Sequence, residues 1–140
     1  MATYNKFEQF SEDLAEGVHN LDAAGDTLNV YLSNATPSAS ADAVKVDLAE
    51  ITNENGYTAP EDTQNSISRT GLVTSVIGVD VVITASGGTV GPFRYVVLYN
   101  DTPTSPVDPL IGWWDYGSAI TLQDGETFTI DFGTEMFTIT

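Results

Sequence analysis

Acid–base chemistry near neutral pH starts with histidine, and this 140-residue chain has one, His19. A Ser-His-Asp triad needs only one imidazole, yet no Gly-x-Ser-x-Gly turn presents a serine to it. His19 falls at the expected end of a helix, where interaction with the last carbonyls is its expected role. Carboxylates are abundant, with 20 Asp and Glu. Glycoside hydrolysis needs two at a defined separation. Among so many, pairs arise at any distance by number alone, so solvated surface charge is the expected reading. Asp22 with Asp26, or Asp101 with Asp108, offer oxygen ligands to Ca²⁺ from loops. No Asp-x-Asp-x-Asp-Gly pattern accompanies them, and Asx-turns are their expected use. Cysteine is absent, which excludes disulfides, thiolate nucleophiles, zinc ribbons and iron–sulfur sites. Gly87-Gly88 reads as a turn, because no helix follows to offer its N-terminus to a phosphate. The chain therefore reads as a non-enzyme, with no catalytic residue, cofactor or metal expected.

The pair Trp113-Trp114 points to contact rather than chemistry. Adjacent residues of a strand face opposite sides. One indole is expected in the core. The other is expected beneath a helix stripe of Phe7, Phe10 and Leu14, or as the anchor of a subunit interface. A sugar-stacking platform is the third use. Phe7, Phe10, Leu14, Trp113 and Trp114 are thus the interface candidates.

Charge narrows the partners. The formal net charge is −16, and the only bases are Lys6, Lys45, Arg69 and Arg94. Four dispersed bases build no phosphate-tracking groove, so no nucleic acid is expected. An anionic membrane surface repels such a chain, and no apolar run approaches the ~18 residues of a membrane span. Only 17% of residues are charged, so Asn, Ser, Thr and Gly supply much of the polar surface. With 41% hydrophobic and 10% aromatic residues, disorder is not expected. The start, Met-Ala-Thr-Tyr-Asn-Lys-Phe-Glu, lacks the apolar segment of a signal peptide, which predicts a cytosolic product used unprocessed.

The elements follow from periodicity. Phe7, Phe10, Leu14 and Val18 recur at helical spacing, which predicts a helix ending near residues 19–20. Asn5 and Glu8 are placed as a capping box. From Asp26 the period changes to two. Leu28, Val30 and Leu32 alternate with Asn29, Tyr31 and Ser33, which predicts a half-buried strand. Residues 34–42 are a Ser/Ala/Pro loop, residues 44–51 a short helix or turn, and residues 53–64 a polar loop. Strands are predicted over residues 66–73, with Gly71 inside, and over 76–85, 93–99 and 110–116. In the third of these, Phe93, Tyr95, Val97 and Tyr99 share one face and Arg94, Val96 and Leu98 the other. Asp124-Gly125 predicts a tight turn between strands 119–122 and 127–132, and alternation continues from Met136 to Thr140. Seven or eight strands with regular turns and no crossover helix predict a mainly β fold. It is read as a single antiparallel β-sandwich, jelly-roll-like, with an N-terminal α-helix. Residues 1–26 form the helix or arm, and residues 27–140 the sandwich domain.

Two stretches carry a family resemblance. They are Gly88-Thr89-Val90-Gly91-Pro92-Phe93-Arg94-Tyr95-Val96-Val97-Leu98-Tyr99-Asn100-Asp101 and Asp108-Pro109-Leu110-Ile111-Gly112-Trp113-Trp114-Asp115-Tyr116-Gly117. The ends Gly125-Glu126-Thr127-Phe128-Thr129-Ile130 and Phe137-Thr138-Ile139-Thr140 fit the same pattern. So do Asp47-Leu48-Ala49-Glu50-Ile51 and Asn55-Gly56-Tyr57-Thr58 upstream. Over residues 27–140 the chain resembles a family of small structural proteins of tailed-bacteriophage virions. It departs from that pattern at Asp131-Phe132-Gly133-Thr134-Glu135-Met136-Phe137, where relatives often read W-D-A-T-G-V-L, so the last turn is expected to differ. The resemblance implies a virion component without enzymatic activity. Negative charge disfavours the DNA-facing side, so a capsid decoration (cement) protein on the outer capsid surface is the expected role. Its partner is then the major capsid protein. Its location is the virion after assembly in the host cytoplasm. Its state is a homo-oligomer, with a trimer favoured by analogy with other decoration proteins. A tail or head-fibre component, or a small receptor- or glycan-binding module, is the alternative.

Overall fold

Period-2 patterning dominates the sequence after residue 26, and it emerges as strand in the computed structural model, which describes residues 2–140. In chain order the elements are β1 (Tyr4–Lys6), α1 (Glu8–Ala15), β2 (Leu28–Ser33), β3 (Glu61–Asp62), β4 (Ser66–Thr70) and β5 (Val73–Ile77). Then follow β6 (Val81–Thr84), β7 (Val90–Asn100), β8 (Leu110–Leu122), β9 (Thr127–Ile130) and β10 (Phe137–Ile139). A one-turn 3₁₀ helix, Lys45–Asp47, lies between β2 and β3, where residues 44–51 were expected to turn. The fold is mainly β with antiparallel sheets, and α1 is the one α-helix among the described residues. Five strands run in the order β1-β8-β7-β2-β3, three in the order β10-β5-β4, and β6 pairs with β9 alone.

Alternation along β2 and β7 sorts side chains onto two faces of the five-stranded sheet. Leu28, Val30, Leu32, Val96 and Leu98 pack on the first face, with Val76 of β5, Ile83 of β6, Ile130 of β9 and Phe137 of β10. All three sheets contribute to that cluster. Tyr31, Tyr95, Val97 and Tyr99 pack on the second face, closed by Phe7, Leu48 and Leu110. β2 is therefore buried at all six positions rather than half-buried as its polar alternates predict. The loop between β2 and β3 is the reason at Tyr31 and Ser33, because it accepts hydrogen bonds from both, while Asn29 donates instead to Asp101. The Tyr31 hydroxyl donates to Leu48 O at 2.9 Å, and Ser33 Oγ donates to Ala49 O at 2.6 Å. Tyr57 accepts the Leu32 N–H at 2.9 Å and donates to Glu50 at 3.0 Å. Lys45 pairs with Glu50 at 3.1 Å and lies 4.9 Å above the Tyr31 ring. A buried polar group left unpaired costs about 1–3 kcal/mol, so these bonds decide whether the loop can stay down. Burial raises the Tyr31 and Tyr57 phenols well above their ordinary range and pushes Tyr99 up to about 12.

The N-terminal segment departs from its expected form. Asn5 lies in β1, opposite Trp113 of β8, so the Asn5–Glu8 capping box does not form. Phe7 is the N-cap, without a side-chain cap bond. The helix ends at Ala15, before the expected residues 19–20. Gly17 at φ +80° closes it, with Val18 N–H donating to Asp13 O at 2.9 Å and Gly17 N–H to Leu14 O at 3.2 Å. Those two bonds and the left-handed glycine make a Schellman motif. The expected single stripe also divides. Phe7, at the end of β1, turns to the second face, while Phe10 and Leu14 reach the first. Residues of the expected 1–26 arm thus enter both clusters, with Leu21 joining Phe10.

Two strand expectations are corrected, and one expected turn, at Asp124-Gly125, forms between strands that do not pair with each other. Residues 66–73 are not one strand: Gly71 at φ +61° and Leu72 form the two-residue turn of a β4–β5 hairpin. Residues 76–85 break after Ile77, where a Cβ on Gly78 would lie 2.6 Å from Met136 Sδ. The chain crosses that crowded point and resumes as β6. The Asp124-Gly125 turn does not close a hairpin either. It carries the chain out of the five-stranded sheet, and β9 pairs with β6. Gly125 N–H donates to Ala85 O at 2.7 Å and Ala85 N–H to Glu126 O at 2.9 Å, which clamps the turn to the end of β6.

β1 holds to β8 by fitting over a glycine. A Cβ on Gly112 would stand 2.1 Å from the Tyr4 ring and 2.6 Å from Asn5 O. Gly112→Ala should therefore cost about 1–3 kcal/mol of stability, the usual penalty of overpacking. Chemical denaturation checks this. Tyr4→Ala combined with Gly112→Ala should cost less than the two singles together, because the ring that clashes is gone.

Candidate functional site

β7 and β8 pair along nearly their whole length, and the register slips once in a large step. Tyr95 faces Asp115 and Phe93 faces Ile120, so residues 116–119 of β8 bulge out opposite Arg94 alone. The bulge is pinned at its start. Arg94 donates to both oxygens of Asp115, at 2.8 and 3.0 Å, and Gly117 N–H donates to Asp115 Oδ1 at 2.8 Å. The Arg94 hydrogen bond holds the Asp115 carboxyl below its usual range. Gly117 sits at φ +103° with open space around it, so backbone conformation alone calls for glycine there. The slip also moves Phe93 to the first face, away from Tyr95, Val97 and Tyr99, whose face it was expected to share. Bulges re-aim side chains, and this one carries Tyr116 out, 5.7 Å from the Phe128 ring.

Beneath Tyr116 the sheets part into an aromatic trough. Two hollows of about 320 and 400 Å³ share Ala2, Trp114, Asp131 and Phe132 and so form one furrow. β8 supplies Trp114 and Tyr116, β9 supplies Phe128, and the segment after β9 supplies Phe132 as a buried floor. The Trp114 ring lies 5.6 Å from both Tyr4 and Phe132, and Tyr4 stacks on Phe137 at 4.9 Å. Burial raises the Tyr4 phenol far above its ordinary range. Asp131 and Glu135 are the charged residues of the lining, and no lysine or arginine joins them. Such a surface recognises apolar and planar groups and tolerates positive charge at its margin.

The interface candidates divide around this trough. Trp113 and Trp114 take opposite faces, as alternation demands, and both are half-buried. Trp113 is covered by Phe7, 4.6 Å away, and Trp114 opens into the trough. Phe7 and Phe10 are buried within the chain, and Leu14 is half-buried against the first-face cluster. Tyr116, Phe128 and Phe132 were not singled out from the sequence. Gly117 beside an aromatic strand was the available signal, since glycine inside a strand often marks a bulge.

The residues considered for chemistry are dispersed or engaged. Asp26 accepts from Asn20 N–H at 2.8 Å and Asn100 Nδ2 at 2.7 Å, and Asp22 accepts from Ala23 N–H at 2.8 Å. Asp101 and Asp108 do come together, and burial and then the Asp101 charge raise the Asp108 carboxyl. Among the described residues no three His, Asp or Glu side chains are placed to hold a metal ion. No helix among them is long and apolar enough to cross a membrane. No protein family, curated protein or solved structure matches the chain.

His19 is not at a helix end, because α1 stops early. It is buried, 5.1 Å from the Phe10 ring, with Nδ1 3.0 Å from Asn100 Nδ2. Thr102 N–H donates to Asn100 Oδ1 at 3.1 Å, which turns the amide nitrogen toward the imidazole. His19 therefore accepts at Nδ1 and is neutral. Burial lowers its pKa, against the opposing pull of Asp13 and Asp26. The unfolded chain then takes up the proton first, near pH 6.5. His19's contribution to stability is complete above that pH and is lost as pH falls toward the folded pKa. Between pH 7.5 and 5.5 the wild type should lose more stability than His19→Gln, measured by urea denaturation. Equal losses would remove the histidine from the account.

Proposed function

We propose that this chain is a non-enzymatic structural protein of a tailed-phage virion. Its most fitting role is a capsid decoration protein that binds the outer face of the shell built by the major capsid protein. The observation that carries the reading is the aromatic trough: an open furrow lined by Trp114, Tyr116, Phe128 and Phe132 and suited to contact. The sequence resemblance of residues 27–140 to virion proteins supports it, and so does the charge of −16, which disfavours a position against packaged DNA. We read the architecture as a β-sandwich of jelly-roll type, with the five-stranded sheet as one layer and the two smaller sheets opposite. The assembled state is a homo-oligomer, with a trimer preferred. The mechanism is linkage. A protein that binds the intact shell, and not its dissociated subunits, stabilises the shell by mass action, and repeated copies multiply a small term.

Cosedimentation with purified shells tests this. The wild type should pellet with shells and raise the temperature at which they release DNA, while Trp114→Ala/Tyr116→Ala should do so weakly or not at all. Copurification with tails from head-defective particles would transfer the protein to the tail. A glycan-binding module is the second reading, favoured by the aromatic lining beside Asp131. Binding on a glycan array, with no binding to shells, would select it.

A further inference from the structure

The β4–β5 hairpin ends in an apolar point. Leu72, in its two-residue turn, is 94% exposed, and Ile67 and Val73 beside it are also exposed. Arg69 is held at the same point, its guanidinium donating to Gly71 O at 3.0 Å. Around this tip, residues 63–79 contain no Asp or Glu. The exposed tip, residues 67–73, thus carries net charge +1 on a chain of net charge −16, and Glu135 approaches the hairpin only at Ser75, below the tip. The trough has the converse character: concave, aromatic, bordered by Asp131 and Glu135 and without a base. No residue of 63–79 lines the trough, so one chain offers both surfaces at once.

We propose that the hairpin tip of one copy inserts into the aromatic trough of a second copy of this chain. Leu72 enters between Trp114, Tyr116 and Phe128, and Arg69 meets Asp131. The occupant is argued from charge. Net charge makes two copies this acidic repel, and acid-free tip against acid-bordered trough is a pairing in which the local charges attract. The two surfaces differ, so the contact is head-to-tail, and successive copies form a ring where their rotations sum to a full turn and an open chain where they do not. The inference deepens the oligomer named in the proposed function and rests on that reading: the trough is filled by the neighbouring copy, and a trough variant then weakens shell binding by losing the oligomer's multivalency.

The test uses the isolated full chain without shells, so that its outcome and shell binding are decided separately. Sedimentation velocity from low to high micromolar concentration, at one fixed ionic strength, should show concentration-dependent assembly beyond the monomer. Leu72→Ser should weaken assembly about tenfold or more, since a buried leucine side chain contributes about 1.5–3 kcal/mol. Leu72 is almost wholly exposed, so this variant keeps the fold. Arg69→Glu and Asp131→Arg should each weaken assembly, and the two together should restore it. The chain has no cysteine, so a Leu72→Cys chain mixed with a Tyr116→Cys chain should give a disulfide-linked mixed dimer in excess of either homodimer. A wild type that stays monomeric throughout overturns the proposal. So does assembly indifferent to Leu72→Ser, or an even mixture of cross-linked species. If Leu72→Ser impairs only binding to shells, the tip belongs to the capsid and self-association is wrong.

Discussion

The β7–β8 ladder is the constraint on which the rest of the molecule hangs. It joins the two longest strands, β1 pairs with β8 and β2 with β7, and β3 extends the sheet from β2. β2 pairs with β7 from Leu28↔Asn100 to Ser33↔Tyr95, and that register decides which residues meet which core. β1 pairs with β8 at Gly112–Trp114, which brings Tyr4 and Phe7 to opposite sides of the sheet. A slip of one residue in the β2–β7 pairing would exchange the two faces of β2 and place Tyr31 in the aliphatic core. The protein tolerates one large slip, at residues 116–119, because Arg94 and Asp115 secure its near end and the bulge faces solvent.

The same ladder couples fold to surface. Regular pairing through Asp115 would continue the alternation and keep Tyr116 within the sheet. Instead the extra residues lift it toward Phe128, and the space below becomes the trough. Aromatic contact continues inward from there. Trp114, Tyr4, Phe137, Phe10 and His19 follow one another at ring separations between 4.9 and 5.6 Å. The trough and the buried histidine thus belong to one packed column, and packed interiors transmit displacement because they have little free volume to absorb it.

Much of the β content was legible because alternation is written residue by residue. Leu28, Val30 and Leu32, or Trp113 and Trp114, announce their faces without reference to anything distant. What alternation does not encode is what covers the second face. Tyr31 and Ser33 read as solvent-facing because their partners, Leu48 and Ala49, lie in a loop whose position depends on Lys45, Glu50 and Tyr57 together. Pairing partners were equally hidden. Asp124-Gly125 has the chemistry of a hairpin turn, yet Ala85 captures it. The helix illustrates competition: Asn5 suits a cap, but the open edge of β8 offers its backbone a ladder instead. The trough was illegible for the same reason. Its walls come from residues 2, 114, 116, 128 and 132, which only the assembled sheets bring together.

The pairing of Tyr4 with Trp114 has a consequence for how the chain is made. A ribosome releases residues 4–6 long before it has synthesised the strand they belong to. Until β8 emerges, Phe7 and Phe10 have no sheet to cover, and β2 has neither β7 beside it nor a second layer beneath. Pairings of such sequence separation impose a large loop-closure cost before any contact offsets it. The β1–β8 pairing therefore joins late, after the local turns and hairpins that carry no such closure cost.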